Sequence, residues 1–231
     1  MTAFHVLIPA RLAASRFPAK LVQELAGRPV LQRVVDAAME AGADSVHVAA
    51  DAELASWCRK RGVPCVPTGR HTSGTDRVAE AARILGLGPD AVIVNVQGDA
   101  PLTPPASIAS VAAELGRWPG APMATLAVPS TEPSGDLNRV GIDWAEGLAQ
   151  RFERGLATGW RHVGLYGFRG RSLEAFAAAP PSPDELAHRL EQLRAFSLGW
   201  GIRVVAGAAQ GPDIDVPEDL AAAEAWLGSG A

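Results

Sequence analysis

The sequence predicts an α/β fold, an open, mixed and mostly parallel sheet flanked by helices. In the first half of the chain, short apolar runs alternate with helical patterns, as in parallel strands joined by helices. Residues 92–96 form an apolar run that suits a strand buried on both faces. After residue 123, strand patterns follow one another without a long helix between them. That change predicts antiparallel pairing late in the chain.

The first half begins with an apolar run at 4–8 that ends at Pro9. Further strand-like runs lie at 45–50, 63–66 and 92–96. Helical spacing predicts helices at 29–42, at 52–61, from near Ser73, and at 105–117. Each predicted strand is thus followed by a helix or by an irregular segment that leads to one.

The second half contains three strand patterns, namely ATLAVP, residues 151–153, and RHVGLYGFR. Helices are predicted at 172–178 and 183–198, followed by a strand at 202–206. A final helix begins after Pro217, where proline followed by two acids is typical of a helix N-terminus.

Length and charge limit the possible functions. The 231 residues suit one domain, 1–231, and the net charge of −4 argues against a broad electrostatic grip on nucleic acid. No apolar run approaches the roughly 18 to 20 residues that span a bilayer, and the N-terminus lacks a signal-peptide pattern. We therefore expect a soluble cytoplasmic protein that binds neither nucleic acid nor membrane. Cys58 and Cys65 are interpreted as structural thiols.

A basic segment follows the first predicted strand. In IPARLAASRFPAKL, Arg11, Arg16 and Lys20 lie among small residues in a strand-to-helix connection. Guanidinium and ammonium groups both suit phosphate oxygens, and alanines let the backbone approach a ligand closely. The segment is either a phosphate site or a solvated basic loop.

A second polar segment, RHTSGTDR, precedes a predicted helix. Ser73 or Thr75 could cap that helix, and the free N–H groups of its first turn could accept an anion, although capping needs no ligand. The chain contains no GxxxxGK[ST], and no GxGxxG follows the first strand. These absences disfavour a P-loop NTPase and an ordinary dinucleotide-binding dehydrogenase.

Two carboxylates follow predicted strands. Asp99 comes after a buried strand through Gln97 and Gly98, and Asp215 follows the strand at 202–206. Carboxylates at strand ends are natural hard-oxygen ligands for Mg²⁺, so the pair could converge on one ion. The alternative for Asp99 is a turn before Pro101.

Several motifs together resemble the CMP-Kdo synthetases, the 3-deoxy-manno-octulosonate cytidylyltransferases. They are IPARLAASRFPAKL, HTSGTDR, VNVQGDAP, MATLAVP, RHVGLYGFR, LEQLR and IDVPEDL, in that order. The resemblance implies a Rossmann-like nucleotidyltransferase fold, usually homodimeric. It also implies that the enzyme takes CTP and an acidic acceptor to a CMP conjugate and pyrophosphate.

The resemblance also implies roles for individual residues. Arg11, Lys20 and Asp99 are the implied catalytic residues, and Asp99 and Asp215 the ligands of Mg²⁺. CTP is implied to contact Pro9, Ala10, Arg11, Ser15, Lys20, His71, Ser73, Arg77 and Gln97. The acceptor is implied to contact Gln97, Arg154, His162, Tyr166, Glu191 and Gln192. Without the resemblance, His162 and Tyr166 would be core residues and Glu191 an exposed helical acid.

Two departures from the family pattern predict a different acceptor. Ala100 stands where QGDEP has glutamate, and the stretch between MATLAVP and RHVGLYGFR is short. We therefore favour a small anionic acceptor such as a phosphonate, phosphonoformate being an example, with Arg154, Arg161 or Arg169 supplying positive charge. The alternatives are a CMP-Kdo synthetase for lipopolysaccharide and a catalytically silent nucleotide-binding protein.

Overall fold

The computed structural model describes residues 2–13, 16–130, 135, 137 and 139–229. The first half contains six strands: β1 (His5–Ala10), the short pair β2 (Glu24–Leu25) and β3 (Arg28–Pro29), β4 (Ser45–Ala50), β5 (Cys65–Pro67) and β6 (Val92–Asn95). Its helices are α1 (Val30–Glu40), α2 (Ala52–Lys60), α3 (Gly74–Ile84) and α4 (Pro105–Arg117). A 3-10 turn, Lys20–Val22, follows β1.

The second half adds five strands, β7 (Met123–Pro129), β8 (Val140–Ala145), β9 (Leu148–Arg154), β10 (Trp160–Arg169) and β11 (Ile202–Ala206). Its helices are α5 (Gly170–Ala178), α6 (Pro183–His188), α7 (Leu193–Ser197) and α8 (Glu218–Gly228). No helix in the described part of the chain is long and apolar enough to cross a membrane.

One nine-stranded sheet organises the molecule, in the order β5-β4-β1-β6-β10-β7-β11-β9-β8. Strand β1 pairs in parallel with β4 and β6, and β11 pairs in parallel with β7. Strand β10 is antiparallel to both of its main neighbours, β6 and β7. The mixed α/β sheet predicted from the sequence is therefore confirmed, with antiparallel pairing in the middle of the sheet as well as at one edge.

The sheet separates two apolar clusters because successive side chains of a strand point to opposite faces. Along β1, for example, Val6 and Ile8 belong to one cluster and Leu7 to the other. All three are fully buried. Burial on both faces explains why the central strands lack an alternating polar pattern.

Two details of the sequence-based prediction were wrong. The helix predicted at 183–198 is two short helices, α6 and α7, because Arg189 ends α6 with a left-handed backbone (φ 53°). Strand β8 was not predicted, and it pairs with β9 as an antiparallel hairpin. The break after α6 matters for the site, because it places Glu191 and Gln192 in a turn between helices.

Candidate active site

A cleft of about 290 Å³ opens at the carboxyl ends of β1 and β6. This is the edge of an α/β sheet where ligands usually bind. Sixteen residues line the cleft: Pro9, Ala10, Arg11, Arg16, Phe17, Lys20, Leu21, His71, Thr72, Ser73, Gly74, Arg77, Gln97, Gly98, Asp99 and Asp215.

The loop after β1 is folded back so that its cations face this cleft. Ala19 adopts a left-handed backbone (φ 56°), and its N–H donates to the carbonyl of Leu12 at 3.2 Å. Asp51 holds the same loop, since its carboxylate accepts from the N–H of Leu12 at 3.1 Å while capping α2. These contacts position Lys20 on the inner wall of the cleft.

Gly98 permits a close approach between the two strand ends. A Cβ at this position would lie 3.2 Å from the carbonyl oxygen of Pro9, closer than nearly all real Cβ contacts. Because no side chain stands there, the loop after β1 packs directly against the turn that carries Asp99.

Lys20 joins the two acidic strand ends. Its Nζ donates to Asp99 Oδ2 at 2.6 Å, to Asp215 Oδ1 at 3.1 Å and to the carbonyl of Ile214 at 2.7 Å. The N–H of Ile214 donates in turn to the carbonyl of Asp99 at 2.8 Å. Two carboxylates that are distant in sequence therefore converge on one point.

The acidic residues after β11 have two different roles. Arg16 pairs with Asp215 at 2.9 Å, on the open side of the cleft. Asp219 accepts from the backbone N–H groups of Asp215 and Val216 at 2.7 and 2.8 Å, so it shapes the turn before α8. The structure thus supports the structural interpretation of the PED sequence.

Asp213 lies close to these charges. It keeps solvent access on one side, yet the surrounding protein displaces enough water to raise its pKa. The negative charges of Asp99 and Asp215 act in the same direction, whereas the positive charges of Arg161 and Arg139 lower the pKa.

The start of α3 forms the opposite wall. Ser73 caps the helix, accepting from the N–H of Asp76 at 3.1 Å. His71 contacts the carboxylate of Glu80, and this hydrogen bond lowers the pKa of Glu80. Arg77 is 6% exposed and donates to the hydroxyl of Thr68. A capped helix N-terminus and a buried guanidinium make this wall suitable for an anionic ligand.

A buried polar network lies on β10 and in the turn after α6. The hydroxyl of Thr125 donates to the carbonyl of Leu165 at 2.9 Å and contacts His162 Nε2 at 2.9 Å. Because the hydroxyl has only one hydrogen, His162 must donate through Nε2. Burial lowers the pKa of His162 to about 3, so the ring is neutral.

Tyr166 and Gln192 adjoin these groups, since the ring of Tyr166 lies with its centroid 5.5 Å from that of His162. The phenol of Tyr166 donates to Gln192 Oε1 at 3.1 Å, and burial raises its pKa. Gln192 Nε2 has no hydrogen-bond partner among the described residues. Gln97 lines the cleft and also lies against β10, since a Cβ on Gly164 would be 3.5 Å from Gln97 Cγ.

Glu191 joins the network through its charge, which adds to burial in raising the pKa of Tyr166. Burial raises the pKa of Glu191 itself to about 7, against a hydrogen bond from Thr75 and the positive charge of Arg194. Its Oε1 is buried and, within the described part of the chain, makes no hydrogen bond. The raised pKa and the unpaired oxygen both suit a carboxyl group that hydrogen-bonds a hydroxyl of a bound ligand.

Arg194 is a functional residue that the sequence reasoning missed. It is 3% exposed and makes a two-pronged contact with Glu185 at 2.8 and 2.6 Å. It also donates to the carbonyl of Phe176 at 3.2 Å. These contacts hold α7 against α5 and α6 and so fix the turn that carries Glu191 and Gln192. The arginine within LEQLR was the available signal.

The comparisons with known proteins decide the family. Residues 5–140 match the family model described as cytidylyltransferase. The chain is 43% identical over 235 residues to the 3-deoxy-manno-octulosonate cytidylyltransferase of Wolinella succinogenes, covering 93% of this chain and 96% of that protein. The chain belongs to the cytidylyltransferase family.

Two further comparisons indicate the same family. The cytidylyltransferase is 41% identical over 244 residues to the 3-deoxy-manno-octulosonate cytidylyltransferase of Halorhodospira halophila, covering 95% of each. A solved structure, CMP:2-keto-3-deoxy-manno-octonic acid synthetase complexed with CTP, has a TM-score of 0.89 and 29% identity, with both chains covered in full. The family resemblance and the fold predicted from the sequence are confirmed.

The cytidylyltransferase brings most of the predicted nucleotide and metal residues together. The cleft contains Pro9, Ala10, Arg11, Lys20, His71, Ser73, Arg77, Gln97, Asp99 and Asp215. Ser15 lies outside the described residues. Arg16, one of three cations predicted either to bind phosphate or to form a solvated basic loop, also lines the cleft.

The residues predicted to contact the acceptor do not all lie together. His162, Tyr166, Glu191 and Gln192 share the buried network. Arg154 instead donates to the backbone carbonyls of Leu137, His188 and Arg189. Arg169 donates to the carbonyls of Asp90 and Leu115, near the amino-terminal end of β6.

Ala100 lies away from the ligand surface. It is 6% exposed, is not among the residues that line the cleft, and its carbonyl accepts from the hydroxyl of Thr103 at 3.1 Å. The alanine thus stands in a packed turn. Its difference from the family glutamate gives the phosphonate hypothesis no geometric support.

Proposed function

We propose that this cytidylyltransferase joins CMP to a 2-keto sugar acid of the 3-deoxy-manno-octulosonate type and releases pyrophosphate. The observation that carries the proposal is the buried network of His162, Tyr166, Glu191 and Gln192 beside the cleft. Its neutral imidazole, phenol, amide and weakly acidic carboxyl suit sugar hydroxyls. The names of the relatives support the same acceptor.

The residues of the cleft suit an in-line phosphoryl transfer. Arg11, Lys20 and Arg77 would hold the triphosphate and stabilise the negative charge on the departing pyrophosphate. The acceptor's hydroxyl would attack the α-phosphorus from the side of Asp99 and Asp215. Since positioning and electrostatics supply most of the catalysis, no covalent enzyme intermediate is required.

Mg²⁺ is part of the proposal. Asp99 and Asp215 supply hard oxygen ligands, and Mg²⁺ is typically held by one or two carboxylates plus substrate phosphates. Among the described residues no group of three or more His, Cys, Asp or Glu could hold a metal ion by itself, which fits an ion that arrives with CTP. When bound, Mg²⁺ would neutralise phosphate charge and orient the acceptor oxygen.

Lys20 pairs with both carboxylates proposed to hold the metal. On CTP binding we expect its ammonium to turn to the phosphates and release Asp99 and Asp215 to the ion. We also keep the homodimer and the cytoplasmic location as predictions; size-exclusion chromatography with light scattering tests the first.

A second candidate acceptor is a compact phosphonate. The short connection between β9 and β10, residues 155–159, favours it, because a smaller acceptor needs less covering chain. Against it, Glu191 would repel a dianion once it loses its proton. The third possibility, a silent nucleotide-binding protein, is disfavoured by the convergence of Lys20, Asp99 and Asp215.

An acceptor panel tests the proposal. Pyrophosphate release from CTP and Mg²⁺ is measured with 3-deoxy-manno-octulosonate, a shorter 2-keto acid and phosphonoformate. We expect the octulosonate to have the highest kcat/KM. Faster turnover of phosphonoformate would replace the sugar acid by the second candidate, and no release with any acceptor would favour the silent protein.

A further inference from the structure

Glu80 lies in the second turn of α3 and is not among the residues that line the active-site cleft. Its Oε2 accepts from the backbone N–H of Gly69 at 2.9 Å and makes a hydrogen bond with Nε2 of His71. His71 does line the cleft. Glu80 therefore holds the segment that precedes α3 at two points, and one of them is a side chain of the cleft wall.

The charge of Glu80 would by itself oppose an anionic ligand in the cleft. The hydrogen bond from His71 lowers the pKa of Glu80, and although burial acts the other way, the carboxyl is ionised near neutral pH. Like charges repel, so a carboxylate beside a phosphate site weakens phosphate binding unless it also favours the ligand in another way. The contact between Glu80 and His71 is the feature of the structure that can do so.

This contact fixes the orientation of the His71 ring. An ionised carboxylate accepts hydrogen bonds but cannot donate them, so Nε2 must carry the proton. Within the described part of the chain, Nδ1 of His71 makes no hydrogen bond, and it is not a buried atom without a partner. Nδ1 is therefore accessible to a ligand in the cleft. A ring that is held before the ligand arrives also costs less entropy to order on binding.

We propose that Glu80 is a positioning residue of the nucleotide site, which acts through His71 by holding the ring against α3 with Nδ1 directed to the nucleotide. This role rests on the proposed function, since it takes CTP as the ligand of the cleft. Glu80 then has two opposite effects on CTP, because the held ring favours binding and the negative charge disfavours it. Both side chains are partly exposed, so water and salt screen the repulsion, and the positioning effect is the larger.

Glu80→Ala and Glu80→Gln are the informative variants. Alanine removes the acceptor oxygen and favours the helix, whereas glutamine keeps an acceptor oxygen and removes only the charge. Binding of CTP is measured by calorimetry with Mg²⁺ present and no acceptor. We expect CTP to bind about tenfold more weakly to Glu80→Ala, as for loss of one hydrogen bond to the nucleotide. Glu80→Gln should restore most of the wild-type affinity.

Glu174→Ala is the matched control. Glu174 also pairs with a side chain of α3, Arg83, at 3.0 Å, but neither residue lines the cleft. This variant should bind CTP as the wild type does. Equal or tighter binding of CTP by Glu80→Ala than by the wild type would overturn the proposal, because it would mean that Glu80 acts on the nucleotide only as a negative charge.

A double-mutant cycle with His71→Ala shows whether Glu80 acts through the ring. In the His71→Ala background, Glu80→Ala should no longer weaken CTP binding, because the group that Glu80 holds is absent. An equally large weakening in both backgrounds would overturn the proposal and would assign the effect to the backbone contact with Gly69. Wild-type protein that does not bind CTP would refute the proposed function itself, and the role of Glu80 would fall with it.

Discussion

The proposed nucleotide cleft and the proposed acceptor-side network hold their polar groups in opposite ways. In the cleft, Lys20, Asp99 and Asp215 are charged and paired with one another at a partly open surface. In the network, His162 is neutral, and burial raises the pKa of both Tyr166 and Glu191. The cleft thus keeps its charges paired and near water, whereas burial in the network favours the uncharged forms of its groups.

Asp99→Asn should have the largest effect on activity, because it removes a charge on which the cleft side of this contrast depends. The amide keeps the size of the side chain but removes one of the two negative ligands expected for Mg²⁺, so pyrophosphate release should fall by about 10³-fold. CTP binding should be partly kept, because the phosphate-binding cations remain. Stopped-assay pyrophosphate detection and CTP titration measure the two quantities. Asp143→Asn, at an exposed position of β8, is the control, and full activity in Asp99→Asn would refute the metal role.

Lys20→Met should have the next largest effect. It should lower turnover but strengthen the binding of Mn²⁺. Turnover should fall by about 10²-fold, because a cation that stabilises the leaving pyrophosphate is lost. Without CTP, however, Mn²⁺ should bind more tightly than to the wild type, since the ammonium no longer occupies Asp99 and Asp215. Electron paramagnetic resonance of Mn²⁺ measures this affinity, with Lys60→Met as the control. Weaker Mn²⁺ binding in Lys20→Met would contradict competition between the lysine and the ion.

Glu191→Gln should have the smallest effect on turnover, but it should markedly change how the stability of the protein depends on pH. The folded pKa of about 7 lies above the ordinary value of 4.5, so the native protein keeps a proton that the unfolded chain loses between these pH values. Wild-type stability should therefore fall as pH rises through that window, by up to about 3 kcal/mol, and stay at the lower value above it.

Glu191→Gln removes this dependence, so its free energy of unfolding should exceed that of the wild type at pH 8 and match it near pH 4. Urea unfolding across pH checks this, with exposed Glu40→Gln as the control. The acceptor KM should rise about tenfold while the KM for CTP stays constant, as for loss of one hydrogen bond. Parallel pH profiles for wild type and variant would show that folding does not raise the pKa of Glu191.

The sequence alone predicted the nucleotide side better than the acceptor side. Asp99 and Asp215 lie in the segments after β6 and β11, two strands that run in the same direction, so both lie beyond the same edge of the sheet and their convergence follows from topology. Glu191 could not be placed in the same way, because its position depends on the left-handed Arg189 and on the contacts of Arg194. The contacts of Arg154 could not be predicted for a similar reason, since its guanidinium donates to backbone carbonyls at the end of α6, which is distant in sequence.

The late position of β11 has a consequence for how the enzyme is made. This strand inserts between β7 and β9 and leads to Asp215, whereas Asp99 was synthesised about half the chain earlier. A ribosome-bound chain that stops before β11 can pair its early strands, but it has only one of the two carboxylates proposed to hold the metal. Premature termination in this region should therefore yield chains without cytidylyl transfer and with an unpaired edge on β7, which favours aggregation.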